Sequence, residues 1–348
     1  MKIPFLPLFL VLLGVLSCTH RQKEIHTFED HSVSGRLSDI SDEIIAIPLE
    51  TTSECKINNI RQVQCDQADI FILNNNEICH FDRSGRFINK ILTGNDSSIQ
   101  NYTVNSDAGQ LIILDSLQQL HYYSYNGNKL HQKDIRHTDL WRTLYNVVYH
   151  GQSLWAIAEN LTENNCLEKR LYKFDTEFNL QEAVKLCNVD LGRFYLEGNF
   201  TPELSVIDGM ICVYSPSSYK ETVLEDTLYL VAHNSLTYHP AAELIAESRP
   251  VYYQMPVRIH RRFMVSSYRH NCSEAENYLF CYDRKENKAY GCGFADDFYR
   301  TGLVKDLQAL DVHNNQFYFC KSGEALSASF PERTENDNPV LFFVTLKS

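Results

Sequence analysis

Cationic side chains are in deficit. The chain sets 32 Lys and Arg against 44 Asp and Glu, for a formal charge of -12 over 348 residues. A surface of that sign repels phosphate backbones and offers no counterion release, so nucleic acid is excluded as a partner. Glycine is sparse, at 14 residues, while Tyr and Phe number 20 and 19. That balance favours pleated sheet over helix or flexible linker. Cys-x-x-Cys pairs are missing, which leaves zinc without a supporting spacing. His-Glu-x-x-His, Gly-x-Ser-x-Gly and a phosphate-cradling Gly-rich loop are missing too, so any reaction centre has to be assembled from single residues on separate elements. Past the N-terminus, no stretch is apolar enough to span a bilayer.

The N-terminus itself reads as a targeting segment. Lys2 supplies a positive start, and the apolar run 3–16 falls short of the roughly 20 residues a membrane-crossing helix needs. Val15-Leu16-Ser17-Cys18 resembles the bacterial lipobox, in which a small residue precedes a cysteine that is acylated and becomes the new N-terminus. The plainer alternative is a secretory signal with an accidental cysteine. On the lipoprotein reading, residues 1–17 are signal peptide, Cys18 carries the acyl chains and 18–40 form a flexible tether. Such chains, at about 0.8 kcal/mol per buried methylene, anchor the protein to a membrane permanently. Setting Cys18 aside from the 11 cysteines leaves ten, an even but scattered set. They read either as buried free thiols or as disulfides of an exported protein, with Cys281 to Cys292 across one hairpin as the first pairing to check.

Aromatic and β-branched strands recur at 70–73, 111–114, 154–157, 210–213, 263–265 and 317–319. Most lead into a second strand and a tight polar turn, as at Asp82-Arg83-Ser84-Gly85 and Tyr125-Asn126-Gly127-Asn128. A repeat of roughly 40 to 55 residues made only of strands predicts a β-propeller, because one small sheet cannot bury both faces without neighbours. The fold class is therefore all-β, a six-bladed β-propeller over 41–348. Its sixth blade runs out one strand short at the C-terminus. Residues 43–50 form an orphan strand, which predicts that the N-terminal strand completes the last blade and closes the ring. Pro48 suits such an outermost strand, where a missing N–H faces solvent.

These residues resemble the six-bladed, NHL-like β-propeller lipoproteins of Bacteroides and related gut bacteria. The likeness rests on Ile47-Pro48-Leu49-Glu50-Thr51-Thr52, Phe81-Asp82-Arg83-Ser84-Gly85-Arg86-Phe87, Glu225-Asp226-Thr227-Leu228-Tyr229, Asp337-Asn338-Pro339-Val340-Leu341 and the acidic stretch from Asp296-Asp297 to Gly302. The family's Gly-x-Gly-Pro-Gly-Glu-Tyr-like loop after blade one keeps only Gly94 and Tyr102 here. The resemblance implies a fold and a cell-envelope location, as an outer-membrane lipoprotein, and no activity. Because 19–23 lacks an acidic run, the periplasmic side is the expected face.

Candidate sites follow from where a propeller works, at the mouth of its channel. Asp66, Asp107, Asp208 and Asp311 end innermost strands, so they read either as a carboxylate ring for a hard cation such as Ca²⁺ or as ordinary turn formers. The connection 238–262 carries Tyr238, Tyr252, Tyr253, Arg258, His260, Arg261 and Arg262, a mix of flat rings and cations suited to a carbohydrate or an anion. The bland alternative has the tyrosines alternating along a strand and the arginines pairing with carboxylates. Phe298, Tyr299 and Arg300 form a second loop of this kind. The leading expectation is a membrane-anchored binding or interaction module for a glycan or an envelope protein. A metal-assisted hydrolase or lyase, with His150 or His260 as general base, is the alternative from another class. A purely structural partner in an outer-membrane complex is the third.

Overall fold

The computed structural model describes residues 25–26, 35–93, 97–135, 144–162, 164, 166–190, 203–207, 210–218, 223–232, 235–240, 243–245, 252–254, 258–259, 262–270, 277–286, 288–291, 293–311, 314–326 and 328–348. They fold into antiparallel sheets that resemble propeller blades. The first sheet runs Ile60–Asp66, Asp69–Asn74, Glu77–Asp82, Phe87–Ile91, and the second Ile99–Asn105, Gln110–Asp115, Gln119–Ser124, Lys129–Asp134. The third comprises Leu144–His150, Ser153–Leu161, Cys166–Phe174 and Leu180–Asp190. In the fourth, Glu203–Ile207, Met210–Ser218, Val223–Ala232 and Ser235–Pro240 are joined by Glu243–Ile245 and Ile25–His26. The fifth pairs Tyr252–Gln254 and Arg258–Ile259 with Phe263–His270, then Asn277–Asp283 and Lys288–Tyr290.

Central strands of the first and second sheets are apolar on both faces because each of these sheets is covered on both sides. Asp69–Asn74 and Glu77–Asp82 are buried almost throughout, and so are Gln110–Asp115 and Gln119–Ser124. Outer strands such as Phe87–Ile91 instead alternate between core and solvent. The covering layers form a series. Phe71 and Ile78 of the first sheet pack on Tyr102 and Leu111 of the second. Ile112 and Leu120 meet Leu154 and Ala156 of the third, whose Ile157 and Leu171 meet Leu204 and Ile211 of the fourth. Val265 and Leu279 of the fifth sheet pack against Phe317 and Phe342.

Phe317 and Phe342 belong to a sheet drawn from both ends of the chain: Gln308–Asp311, Gln316–Lys321, Val340–Leu346 and Ser41–Pro48. Ser41–Pro48 lies antiparallel to Val340–Leu346, from Ser41 opposite Leu346 to Pro48 opposite Val340. The strand expected to be an orphan therefore lies where the sequence pattern assigns it. This sixth sheet also touches the first, through Ile47, Leu341 and Phe343 against Ile70 and Ile72.

Two further features complete the fold. The ordered fold begins before residue 41. Gly35–Arg36 pairs in parallel with Phe294–Ala295, and Leu37 and Ile40 of the short helix Leu37–Ile40 are fully buried against the fifth and sixth sheets. Two apolar residues three apart are enough to seat a single helical turn, and the polar residues around them disguise it in sequence. Within the connection 238–262, the described residues build the short strands just named.

Ile44 is 7 % exposed while its neighbour Ile45 is 48 % exposed, so adjacent positions of the terminal strand test the pairing. Ile44→Asp should destabilise the protein by about 3 kcal/mol or more, and Ile45→Asp by less than about 1 kcal/mol, in urea unfolding. Equal effects would mean that the register is wrong.

Candidate functional site

Three of the sequence stretches that carry the family resemblance meet in space, at the seam between the sixth and first sheets. Glu50 donates its backbone N–H to Gly85 O at 2.8 Å and accepts the Phe87 N–H on its carboxylate at 2.8 Å. Gly85 has φ of +87, and a Cβ there would lie 2.2 Å from Pro48 O, so glycine is required both for the turn and for the close approach. On the other side stands Asn338, 1 % exposed. Its Oδ1 accepts from Ile57 N at 2.7 Å, and its Nδ2 donates to Glu50 O at 2.7 Å and Cys55 O at 3.1 Å. Thr51 Oγ1 accepts the Asn338 N–H at 2.7 Å and donates to Asp337 at 3.2 Å. Arg333 Nη2 adds a bond to Leu49 O at 2.8 Å. These motifs hold the two ends of the chain together.

The expected carboxylate ring is used locally. Asp66 accepts the Gln67 N–H in its own turn at 2.8 Å and the Tyr125 hydroxyl from the second sheet at 2.6 Å. Asp107 accepts the Tyr149 hydroxyl from the third sheet at 2.6 Å. Burial and this carboxylate push the Tyr149 phenol up to about 12. Asp311 is bonded to Asn314 through both oxygens, at 3.2 and 2.7 Å. Asp208 lies outside the described residues, as does Cys18. Among the described residues, no three His, Cys, Asp or Glu side chains are grouped to hold a metal ion.

The aromatic and cationic candidates do not form one cluster. Tyr252 lies opposite His270 at one end of the strand Phe263–His270, while Arg262 adjoins Phe263 at the other. Seven residues of strand separate them, roughly 20 Å. Arg262 is committed to the nearly inaccessible Asp283, with Nε at 3.0 and 3.1 Å and Nη2 at 2.7 Å. Burial alone would raise the Asp283 carboxyl. The guanidinium and the amides of Glu286 and Lys285 outweigh it and hold the group below the usual carboxylate range. Tyr238 and Arg258 sit on strands opposite Tyr229 and Val265, whereas His260 and Arg261 lie outside the described residues. The second loop wraps around Asp296, which accepts from the backbones of Phe298, Tyr299 and Thr301. Tyr299 turns inward onto Phe330 and Phe342, while Phe298 and Arg300 face solvent.

Sequence reasoning misses a set of amides on the free edges of the first three sheets. Gln62 and Gln64 each donate to Tyr102 O at 3.0 Å, and Gln64 accepts Val104 N at 2.9 Å. One sheet on, Asn101 accepts Val147 N at 3.0 Å and Thr103 accepts Tyr149 N at 2.9 Å. Each edge strand uses polar side chains at alternate positions to satisfy the unpaired backbone of the next. Polar residues at i and i+2 of a first strand are the available signal.

A family model described as "Domain of unknown function (DUF4934)" matches residues 24–345. The chain belongs to that family. No curated protein matches the sequence of this DUF4934 member. Among solved structures, it is similar to a Bacteroides fragilis protein whose name describes it as exported, at 15% identity and TM-score 0.65, over 93% of this chain and all of that one (100%). That likeness establishes a shared fold. More distant are the Neurospora crassa Pan2 WD40 domain (11% identity, TM-score 0.44, 83% of this chain and 76% of that one) and the Myceliophteria thermophila Cps50 (Swd1) β-propeller domain (9%, 0.46, 87% and 100%).

In this DUF4934 protein, Arg262→Ala would leave a buried carboxylate unpaired and cost about 3–5 kcal/mol near neutral pH. Because the folded Asp283 value is depressed, the pair's contribution is complete above the unfolded carboxylate value and is lost as pH falls through the folded one. The stability gap between wild type and variant, read by urea titration, should therefore narrow below about pH 4. A gap that stays constant down to pH 2 would count against the ion pair.

Proposed function

We propose that this protein is a lipid-anchored, six-bladed β-propeller of the cell envelope that works as a ligand-binding or protein-interaction module. The observation that carries the closed ring is the sixth sheet. It takes strands from both ends of the chain and packs on the fifth sheet through Phe317 and Phe342 and on the first through Leu341 and Phe343. Export is supported by the signal-like N-terminus and by the name of the Bacteroides fragilis protein that shares the fold. In this reading Cys18 bears the anchor in the outer membrane, on its periplasmic side.

Strand direction supports one end of the sheets as the recognition face in this reading. In a four-stranded antiparallel sheet, the first and third turns leave from one end, and the second turn and the link to the next sheet from the other. At the first end the turns are brief, as between Asp66 and Asp69 or Ser124 and Lys129. At the other lie the longer connections, such as those between Asp190 and Glu203 and between Lys321 and Val340. Tyr252 and Tyr253 enter the fifth sheet at this end, and exposed Phe298 and Arg300 leave it there. An exposed ring at Phe298, two residues from the Arg300 guanidinium, suits a glycan or an anionic group on a partner protein.

Thermal unfolding of the mature chain against a panel of envelope glycans tests this. A ligand at 100 times its Kd should stabilise by about 2.7 kcal/mol, a shift of several degrees, and Phe298→Ala should shrink that shift without lowering the ligand-free Tm. A flat response to the whole panel would sink the glycan reading and leave the protein-partner one. Separately, Cys18→Ala should release the protein from membranes into the soluble fraction. Continued membrane retention would overturn the anchor.

A further inference from the structure

Among the described cysteines, one pair stands apart. Cys55 Sγ and Cys79 Sγ are 2.8 Å from each other, shorter than a non-bonded contact between sulfurs, and both residues are completely buried. Cys79 sits on the strand Glu77–Asp82 in the middle of the first sheet. Cys55 sits on the connection from the terminal strand Ser41–Pro48 into that sheet. The path of this connection is fixed. The Cys55 N–H donates to Thr52 Oγ1 at 3.1 Å, its carbonyl accepts from buried Asn338 at 3.1 Å, and Ile57 N donates to the same Asn338 side chain at 2.7 Å. The approach of the two sulfurs is therefore built into the seam. The nearest charged group, Glu77 Oε1, is 3.8 Å from Cys79 Sγ, and no third ligand completes a metal set among the described residues.

We propose that Cys55 and Cys79 form a disulfide in the mature protein, a covalent lock on the seam between its first and sixth sheets. The inference rests on the export reading for its oxidising surroundings. The reaction is thiol–disulfide exchange with a disulfide-bearing oxidoreductase of the compartment. Both S–H bonds break and one Sγ–Sγ bond forms, while the oxidant's S–S bond breaks and takes up the two electrons and two protons to become two thiols. The contact with Cys55 and burial push the Cys79 thiol far up, so little thiolate is available once the seam is shut. Exchange then belongs to the stage before the terminal strand docks, and burial afterwards protects the bond from reductants. The bridge would close a loop of 24 residues that contains the entry to the first sheet. Of the Cys281 to Cys292 pair, the first to check from the sequence, Cys281 is a buried free thiol and Cys292 lies outside the described residues.

Peptide mapping of the full chain from cells lysed in an alkylating agent, without reductant, reads the pair directly. The expected product is a cross-linked Cys55–Cys79 peptide, about 2 Da lighter than the sum of its two thiol peptides. The double variant Cys55→Ala/Cys79→Ala should melt roughly 5 °C lower and be insensitive to reductant during unfolding, unlike wild type. In parallel, the reduced chain is refolded in a glutathione redox buffer. Alkylation of both residues in cells and in the refolded protein would overturn the disulfide. A bridge that forms in the buffer but is missing in cells would leave the pairing standing and defeat the export reading instead.

Discussion

Among the described residues, the first sheet packs on the second, the second on the third, the third on the fourth and the fifth on the sixth, each covered by sequence immediately before or after it. The ends have no such neighbour, and the structure solves this by pairing Ser41–Pro48 with Val340–Leu346, about as far apart as the chain allows. Bringing together segments some 300 residues apart costs about 5 kcal/mol in chain entropy alone. That cost explains why contacts are so dense there. Ile44, Ile47 and Leu49 are buried, Asn338 satisfies three backbone groups at once, and Arg333 reaches across to Leu49. A single carboxamide with both donors and its acceptor oxygen engaged fixes where the strand stops and where the next sheet begins.

The same economy runs through the acidic residues. The Asp side chains 82, 175, 283 and 296 each accept backbone N–H groups two to five residues downstream, shaping a turn at the end of a strand. Asp66 and Asp107 go further and take a tyrosine hydroxyl from the adjacent sheet, which ties neighbours at their ends while amides tie them along their edges. A net negative chain thus spends many of its described carboxylates on geometry. Carboxylate count alone is a poor guide to cation binding here, because a group with both oxygens occupied by protein donors has little left to offer an ion.

What was legible in the sequence follows from range. Runs such as Asp69–Asn74 are continuously apolar and bounded by Asp or Gly turns, so both the strands and their hairpins can be read locally. The orphan strand was legible by counting, since 41–48 has a strand pattern with no hairpin partner of its own. The helical turn at Leu37–Ile40 was not, because its burial is decided by residues more than 200 positions away. Likewise nothing near Arg262 announces Asp283 as its partner, and nothing around Tyr299 says that it packs on Phe342. Residue types suited to ligand binding are equally suited to long-range structural bonds, and only the third dimension separates the two uses.

That separation bears on what the family resemblance means. The stretches Ile47–Thr52, Phe81–Phe87 and Asp337–Leu341 by which the chain is recognised are the ones that build the seam, with Glu50, Gly85 and Asn338 bonded to one another's segments. A motif used to join the two termini is selected for by folding, whatever the protein binds. Similarity in those residues therefore transmits an architecture and no ligand. On the proposed binding-module reading, recognition would fall to side chains that the scaffold leaves exposed, and Phe298 and Arg300, beside the turn around Asp296, meet that condition while inward-facing Tyr299 in the same loop does not. A turn that fixes the backbone on both sides of an anchored residue leaves only side-chain freedom for those two exposed neighbours to lose on binding, which lowers the entropic cost relative to a loop that must itself be ordered.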